Sequence, residues 1–214
     1  MASNFEFYSP TRVIFGKGTE QRVGALVREY GGTRVLIVYG GKSAVRSGVL
    51  DRAENSLAEA GISSWTLGGV VPNPHLDKVY EGIRIGKENS IDFLLAVGGG
   101  SVMDIAKLAS ITADGSCTVR DQLKNPRIGK KTVKTIMIPT TAGTGSEATP
   151  NSIVAVPEEQ LKVGIVNPEM IADAVILDGE MIRRLPRKIA ASTGIDALCH
   201  AIECYTSAKA NPFQ

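Results

Sequence analysis

Two kinds of apolar pattern alternate along the chain. "RVLIVYGG" at 34–41, "IDFLLAVGGGS" at 91–101 and "TIMIPTTAGTGSE" at 135–147 are nearly continuous apolar runs that end in glycine or hydroxyl residues. A strand without a polar side is one buried on both faces, as strands of a helix-covered parallel sheet are. Between them lie "GVLDRAENSLAEAG" at 48–61, "HLDKVYEGIRIGKENS" at 75–90 and "VMDIAKLASITAD" at 102–114. Their apolar residues recur at helical spacing, and Gly61 is placed to cap the first at its C-terminus. "SSWTLGGVVPNP" at 63–74 reads as a short strand and a turn.

After residue 147 the texture changes. "SIVAVPEEQLKVGIVNPEMIADAVILD" at 152–178 reads as short strands and turns, and the chain is helical from Pro186, with that proline at a first-turn position. No repeat or low-complexity linker interrupts the sequence. The alternation predicts an α/β fold with a doubly wound, mostly parallel, Rossmann-like sheet. It is expected to fill residues 1–183, with 184–214 starting an all-helical domain and the boundary near 180–186.

Composition narrows the function classes. Of 214 residues, 43% are hydrophobic, 5% are aromatic and 23 are glycine, which suits a layered α/β fold. The net charge is +2, and no Lys/Arg run is long enough for a nucleic-acid stripe; "GKK" at 129–131 reads as a solvated loop. "MASNFEFYSP" lacks the basic and apolar regions of a signal peptide, and no apolar run reaches the roughly 18 residues of a membrane span. Cys117, Cys199 and Cys204 are scattered and odd in number, which argues against a disulfide framework and for a cytoplasmic location.

Candidate chemistry gathers at three strand ends, where open parallel sheets bind ligands. In "VGGGSVMDIAK", Gly98, Gly99 and Gly100 remove side chains between strand and helix, so the backbone can approach an anion. Ser101 can cap the helix, whose N-terminus adds free N–H groups and about half a positive charge. A glycine-rich tight turn without a ligand is the plainer explanation. In "PTTAGTGSE", Thr140, Thr141, Thr144 and Ser146 offer hydroxyls around Gly143 and Gly145; the plainer alternative is a flexible loop. In "VYGGKS", no acid stands where an NAD-selective site needs one for the ribose hydroxyls. Gly40, Gly41 and Ser43 with the cations Lys42 and Arg46 would instead accept a 2′-phosphate, unless those cations are merely solvated.

The stretch "ASTGIDALCHAIECYTS" at 191–207 carries Asp196 and His200 one helical turn apart, hence on one face. Such a pair can be a surface hydrogen bond or half of a metal site. Its apolar neighbours Ile195, Ala197, Leu198, Ala201 and Ile202 lead to the expectation that it faces an interior cleft, where an uncompensated carboxylate would be costly.

Taken together, "GGGSVMDIAK", "PTTAGTGSE", "VVPNP" at 70–74, "STGIDALCHAIECYTS" with its "NPF" sequel, and "YSPTRVIFGKG" at 8–18 resemble the iron-containing (group III) alcohol dehydrogenases. The likeness runs in order along nearly the whole chain, and "YSPTRVIFGKG" looks like that family's first hairpin. The "YGGKS" form is similar to the NADP-linked, butanol-dehydrogenase-like branch. The resemblance implies a hydride-transferring oxidoreductase of alcohols and aldehydes or ketones that prefers NADP(H) to NAD(H). It implies that Gly98, Gly99, Gly100 and Ser101 bind the pyrophosphate, with Asp104 bracing the loop or meeting the nicotinamide end. Thr140, Thr141 and Thr144 would line the adenine and phosphate side, and Asn73 would lie near the adenosine. Lys162 would reach the nicotinamide ribose. Leu177, Met181 and Leu185 would be apolar walls, or else ordinary core. Asp196 and His200 match the first two ligands of an Fe2+ or Zn2+ site. Short-chain primary alcohols and aldehydes are the implied substrates, and a homodimer through the first strands near residues 5–15 is the implied assembly.

One departure stands out. The family's metal site takes two more histidines, and the only other histidine here, His75, follows "PNP" in the nucleotide half. The expectation is therefore a weak or absent metal, since catalytic sites take three or more protein ligands. The final helix is also expected to expose apolar surface that favours self-association or a partner. A non-catalytic NADP(H)-binding module is the alternative function. A lyase of the dehydroquinate-synthase type shares the architecture but fits "GIDALCHAIE" less well.

Overall fold

The computed structural model describes residues 4–208, 210 and 211. Six strands form one parallel sheet in the order β1-β8-β5-β4-β2-β3. They are β1 (Arg12–Phe15), β2 (Arg34–Tyr39), β3 (Ser63–Leu67), β4 (Phe93–Gly98), β5 (Lys134–Pro139) and β8 (Ala174–Leu177). β6 (Asn151–Val156) and β7 (Leu161–Val166) make a separate antiparallel ribbon.

The period of two along a strand sorts the core into two layers. Leu36 and Val38 of β2 point into one, built with α4 (Leu76–Glu88), α5 (Gly100–Ser110), α6 (Val119–Lys124) and the β6–β7 ribbon. Val35 and Ile37 point into the other, built with α1 (Val23–Glu29), α2 (Lys42–Arg46) and α3 (Val49–Glu59). Helices on both faces make the sheet doubly wound, as the apolar runs require. β4, at the centre, is buried along its whole length.

α3 ends as its sequence demands. Gly61 adopts φ +70 and its N–H bonds the Ala58 carbonyl, while the Ile62 N–H reaches the Leu57 carbonyl. That is the left-handed stop a glycine permits. α1 lies so close to α3 that a Cβ on Gly24 would stand 2.0 Å from the Ser56 carbonyl oxygen, and the Gly24 N–H donates to Ser56 Oγ at 3.0 Å.

The structure corrects three expectations. β1 is not part of a hairpin: it pairs in parallel with β8, Arg12 opposite Ala174, and the chain then turns at Gly16 and Gly18 into a helical segment. The 152–178 stretch is short strands and turns, as its texture leads one to expect, and its last strand, β8, enters the main sheet between β1 and β5. α5 begins at Gly100, two residues earlier than its apolar spacing shows, so Ser101 lies inside the helix and does not cap it. Pro186 is the residue before α8 (Arg187–Thr206), not within its first turn, and a short α7 (Gly179–Arg183) precedes it. The Pro212 and Phe213 of "NPF" lie outside the described residues.

Gly24→Ala tests the closeness of α1 and α3. The variant is expected to lose about 1–3 kcal/mol of unfolding free energy, the usual range for overpacking, measured by chemical denaturation.

Candidate functional site

β2, β4 and β5 are neighbours and parallel, so their carboxyl ends open on the same edge of the sheet. The turns after β4 and β5 touch. The Thr140 N–H donates to the Gly98 carbonyl at 3.0 Å. A Cβ on Gly99 would stand 2.9 Å from Thr141 Oγ1, and one on Gly100 2.9 Å from Thr144 Oγ1 and Cγ2. Only glycine leaves that cradle open. Gly99 precedes α5 and no side chain caps the helix, so its first N–H groups are available to an anion.

The turn after β2 is held by the segment after β3. The Gly69 N–H bonds the Gly40 carbonyl at 3.0 Å, and the Tyr39 ring covers Gly68, where a Cβ would lie 2.5 Å from it. Lys42, Ser43 and Arg46 are exposed on α2, with Arg46 Nε donating to the Lys42 carbonyl at 3.4 Å. Asn73 has a left-handed backbone, φ 54, in the turn leading to α4. The following Pro74 and His75 pair with Ala155 of β6, whose strand partner is Lys162, exposed on β7. His75 is exposed beside that turn.

Asp104 is tied to the loop after β5. Its carboxylate accepts from Ser146 Oγ at 2.7 Å and from the Ile153 N–H at 3.1 Å, and its own carbonyl accepts from Ser152 Oγ at 2.9 Å. Lys107, one turn on, is fully buried; its ammonium donates to the Ser146 carbonyl at 2.8 Å and the Thr149 carbonyl at 3.4 Å. Asp104 Oδ1 is 3.4 Å away. Burial pushes the Lys107 ammonium below its ordinary pKa, and Asp104 opposes that shift. Sequence reading passed over Lys107, although its spacing from Asp104 on a buried helix is a visible signal.

The apolar wall is not one wall. Leu177 packs on the α5 layer, whereas Met181 packs on the α3 layer. Met181 lines a hollow of about 320 Å³ with Arg52, Glu20 and Asp178. Glu20 is ion-paired to Arg52 at 2.6 Å. Burial works against ionisation of Asp178, but the N–H groups of Glu180 and Gly18, with Glu20 and Arg52 beside it, together hold the carboxyl below the usual range. Leu185 is half-buried, its N–H on the Ile182 carbonyl.

Asp196 and His200 stand beside the turn after β5. His200 Nδ1 is 3.0 Å from the Gly143 carbonyl oxygen. A carbonyl only accepts, so Nδ1 carries a proton, and in the neutral ring Nε2 is the nitrogen with the lone pair. A Cβ on Gly143, whose φ is 153, would lie 2.6 Å from the Thr193 carbonyl oxygen and 3.2 Å from Asp196 Oδ2. One loop thus touches α5 through Thr144 and α8 through Gly143. The expectation of an interior cleft is corrected: Asp196 is half-buried, His200 is exposed, and no residue of α8 is buried. The large apolar side chains of α8, Ile189, Ile195, Leu198, Ile202 and Tyr205, are open.

A carboxylate oxygen and a free imidazole nitrogen on one helix face fit a divalent cation as two of its ligands. Among the described residues no group of three or more His, Cys, Asp or Glu side chains is close enough to hold a metal. No helix among them is long and apolar enough to cross a membrane.

Residues 10–179 match the family model described as iron-containing alcohol dehydrogenase. NADH-dependent butanol dehydrogenase A of Clostridium acetobutylicum is 36% identical, the match covering 95% of this chain and 52% of that protein. NADPH-dependent butanol dehydrogenase of Clostridium saccharobutylicum is 31% identical over 97% of this chain and 53% of that one. The crystal structure of NADH-dependent butanol dehydrogenase A from Thermotoga maritima superposes with a TM-score of 0.92 at 30% identity, over 98% of this chain and 53% of that one. The chain spans about half the length of the curated relatives it matches.

At pH 8, nitrogen-15 NMR of the imidazole is expected to find His200 as the Nδ1–H tautomer. Gly143→Ala should return it to the mixture of free imidazole, because the added methyl drives the Gly143 loop off α8. An unchanged tautomer in the variant would count against the Gly143 contact.

Proposed function

The chain belongs to the iron-containing alcohol dehydrogenase family, and on that premise we propose that it binds NADP(H) and serves the interconversion of alcohols with aldehydes or ketones by hydride transfer. One observation carries the reading: small-residue turns close three adjacent parallel strands, and at Gly99 and Gly100 they leave a space that a Cβ would fill. In this reading the N–H groups opening α5 and the hydroxyls of Ser101, Thr141 and Thr144 receive the pyrophosphate. Gly40, Gly41 and Ser43 leave room for a 2′-phosphate beside Lys42 and Arg46, where an acid would repel it. Thr140 and Asn73 border the adenosine side, Leu177 and Met181 wall the cofactor from opposite layers of the core, Lys162 serves the nicotinamide ribose, and Asp104 braces the turn.

Asp196 and His200, through its free Nε2, would hold Fe2+ or Zn2+. When both groups are bound, the nicotinamide supplies hydride exchange at carbon and the cation supplies Lewis acidity toward the substrate oxygen. The chain's own part is placement: the Gly143–Thr144 loop adjoins both the pyrophosphate turn and the Asp196/His200 face, so the two sites keep a fixed relation. Residues 1–183 serve as the dinucleotide domain and 184–214 as the start of a helical one. The butanol dehydrogenase relatives support small alcohols and aldehydes as the substrate class. A homodimer is supported by β1, an edge strand with Val13 and Phe15 exposed.

Fluorescence titration tests the cofactor. NADPH is expected to bind more tightly than NADH, and Lys42→Glu with Arg46→Glu should cut NADPH affinity by about tenfold or more while sparing NADH. Equal binding of the two cofactors to the unaltered protein would refute the 2′-phosphate pocket. Aldehyde-dependent oxidation of NADPH with added Fe2+ or Zn2+ tests the chemistry; binding without turnover points to a non-catalytic nucleotide-binding module. Sedimentation equilibrium should find a dimer that Phe15→Lys dissociates, and a variant still dimeric would rule out the β1 edge.

A further inference from the structure

A fully buried lysine is an expensive way to fill a core, because an isolated ammonium loses its hydration there. Lys107 is 0% exposed in an apolar layer to which its own helix gives Val102, Met103, Ile105, Ala106 and Leu108. A methionine would occupy the same volume without that cost. What the ammonium adds is direction. It has three N–H donors, and three oxygens stand within 3.4 Å: the carbonyls of Ser146 and Thr149, and Asp104 Oδ1. Two of these belong to the loop that follows β5. Asp104 holds the same loop and the start of β6 through the Ser146 hydroxyl and the Ile153 N–H.

That loop has reason to need a clamp. Gly143 and Gly145 adopt φ 153 and 62, which side-chain-bearing residues rarely do, and glycine, with no Cβ, has many other conformations to be held out of. Yet Thr144, between them, must stay close to Gly100, and Thr141 close to Gly99, for the cradle over the α5 N-terminus to keep its width. Both sides of the cradle are tied to one helix: Gly100 opens α5, and Asp104 and Lys107 follow on its next turns.

We propose that Lys107 is a positioning residue that sets the spacing between the Gly99–Ser101 turn and the Thr141–Thr144 loop, and with it the fit of a pyrophosphate in the cradle. The inference rests on the dinucleotide reading above. Lys107 touches no ligand itself; it acts by fixing the carbonyls of Ser146 and Thr149, and Asp104 completes the clamp.

Binding of two probes separates this role from simple core packing. NADPH carries a pyrophosphate; adenosine 2′-monophosphate carries the adenosine and 2′-phosphate without one. In Lys107→Met, NADPH affinity is expected to fall about tenfold, the worth of a hydrogen-bonded charge, while adenosine 2′-monophosphate affinity changes less than about twofold. Asp104→Asn keeps the ammonium and both carbonyl contacts, so it should lose NADPH affinity in the same selective way but by about threefold. It carries the test if Lys107→Met does not fold. Equal losses for both probes, or none for either, would overturn the positioning role while leaving the cofactor reading intact. Failure of the unaltered protein to bind NADPH would instead overturn the cofactor reading, and this inference with it.

Discussion

Parallel hydrogen bonding of β4 to β2 on one side and to β5 on the other forces the turns that follow all three strands onto one edge of the sheet. Register then decides what faces what. Gly98 stands opposite Pro139 and Val97 opposite Tyr39, so all three strands run out at nearly the same height. Where strands end together, their turns become neighbours, and small residues at those turns merge into one concave surface. Had any of the three strands run the other way, its glycines would close an unrelated loop on the far edge.

The same edge gathers the costly electrostatics of the molecule. Burying Lys107 beside Asp104 is tolerable because each has hydrogen-bond partners besides the other: loop carbonyls for the ammonium, a hydroxyl and an N–H for the carboxylate. The loop so fastened also lends the Gly143 carbonyl to His200 on α8. A fixed loop thereby stands between the Gly99–Gly100 turn and the Asp196/His200 face, and no residue of α8 is buried. The order of that helix edge therefore depends on the loop more than on apolar packing.

Much of the fold was legible because burial on both faces leaves a plain trace. β2, β4 and β5 are runs without polar interruption, and α3 and α4 show helical spacing, so their placement followed from pattern alone. Elements with little apolar periodicity escaped. α6 has six residues, though its Thr118 and Asp121 capping box was a readable start signal. β1 was legible as a strand but not its partner, because Ala174 lies far along the chain from Arg12. Glycine turns and the Asp196/His200 spacing marked the candidate site. Lys107 went unremarked because a lysine in a sequence reads as solvated, and only neighbours distant in sequence, Ser146 and Thr149, make its burial possible.

By itself, then, the order of residues determined local chemistry: which stretches must be buried on both faces, where the backbone is bare enough for an anion, and that Asp196 and His200 share a helix face. Those are properties of spacings of a few residues, fixed by helix and strand geometry. Tertiary structure alone decided that β8 enters between β1 and β5, that Leu177 and Met181 part to opposite layers, that the Gly143 carbonyl selects the His200 tautomer, and that α8 lies open. Each of these turns on contacts between residues far apart in the chain. Such contacts are set by how whole elements share one core, and no local pattern encodes them.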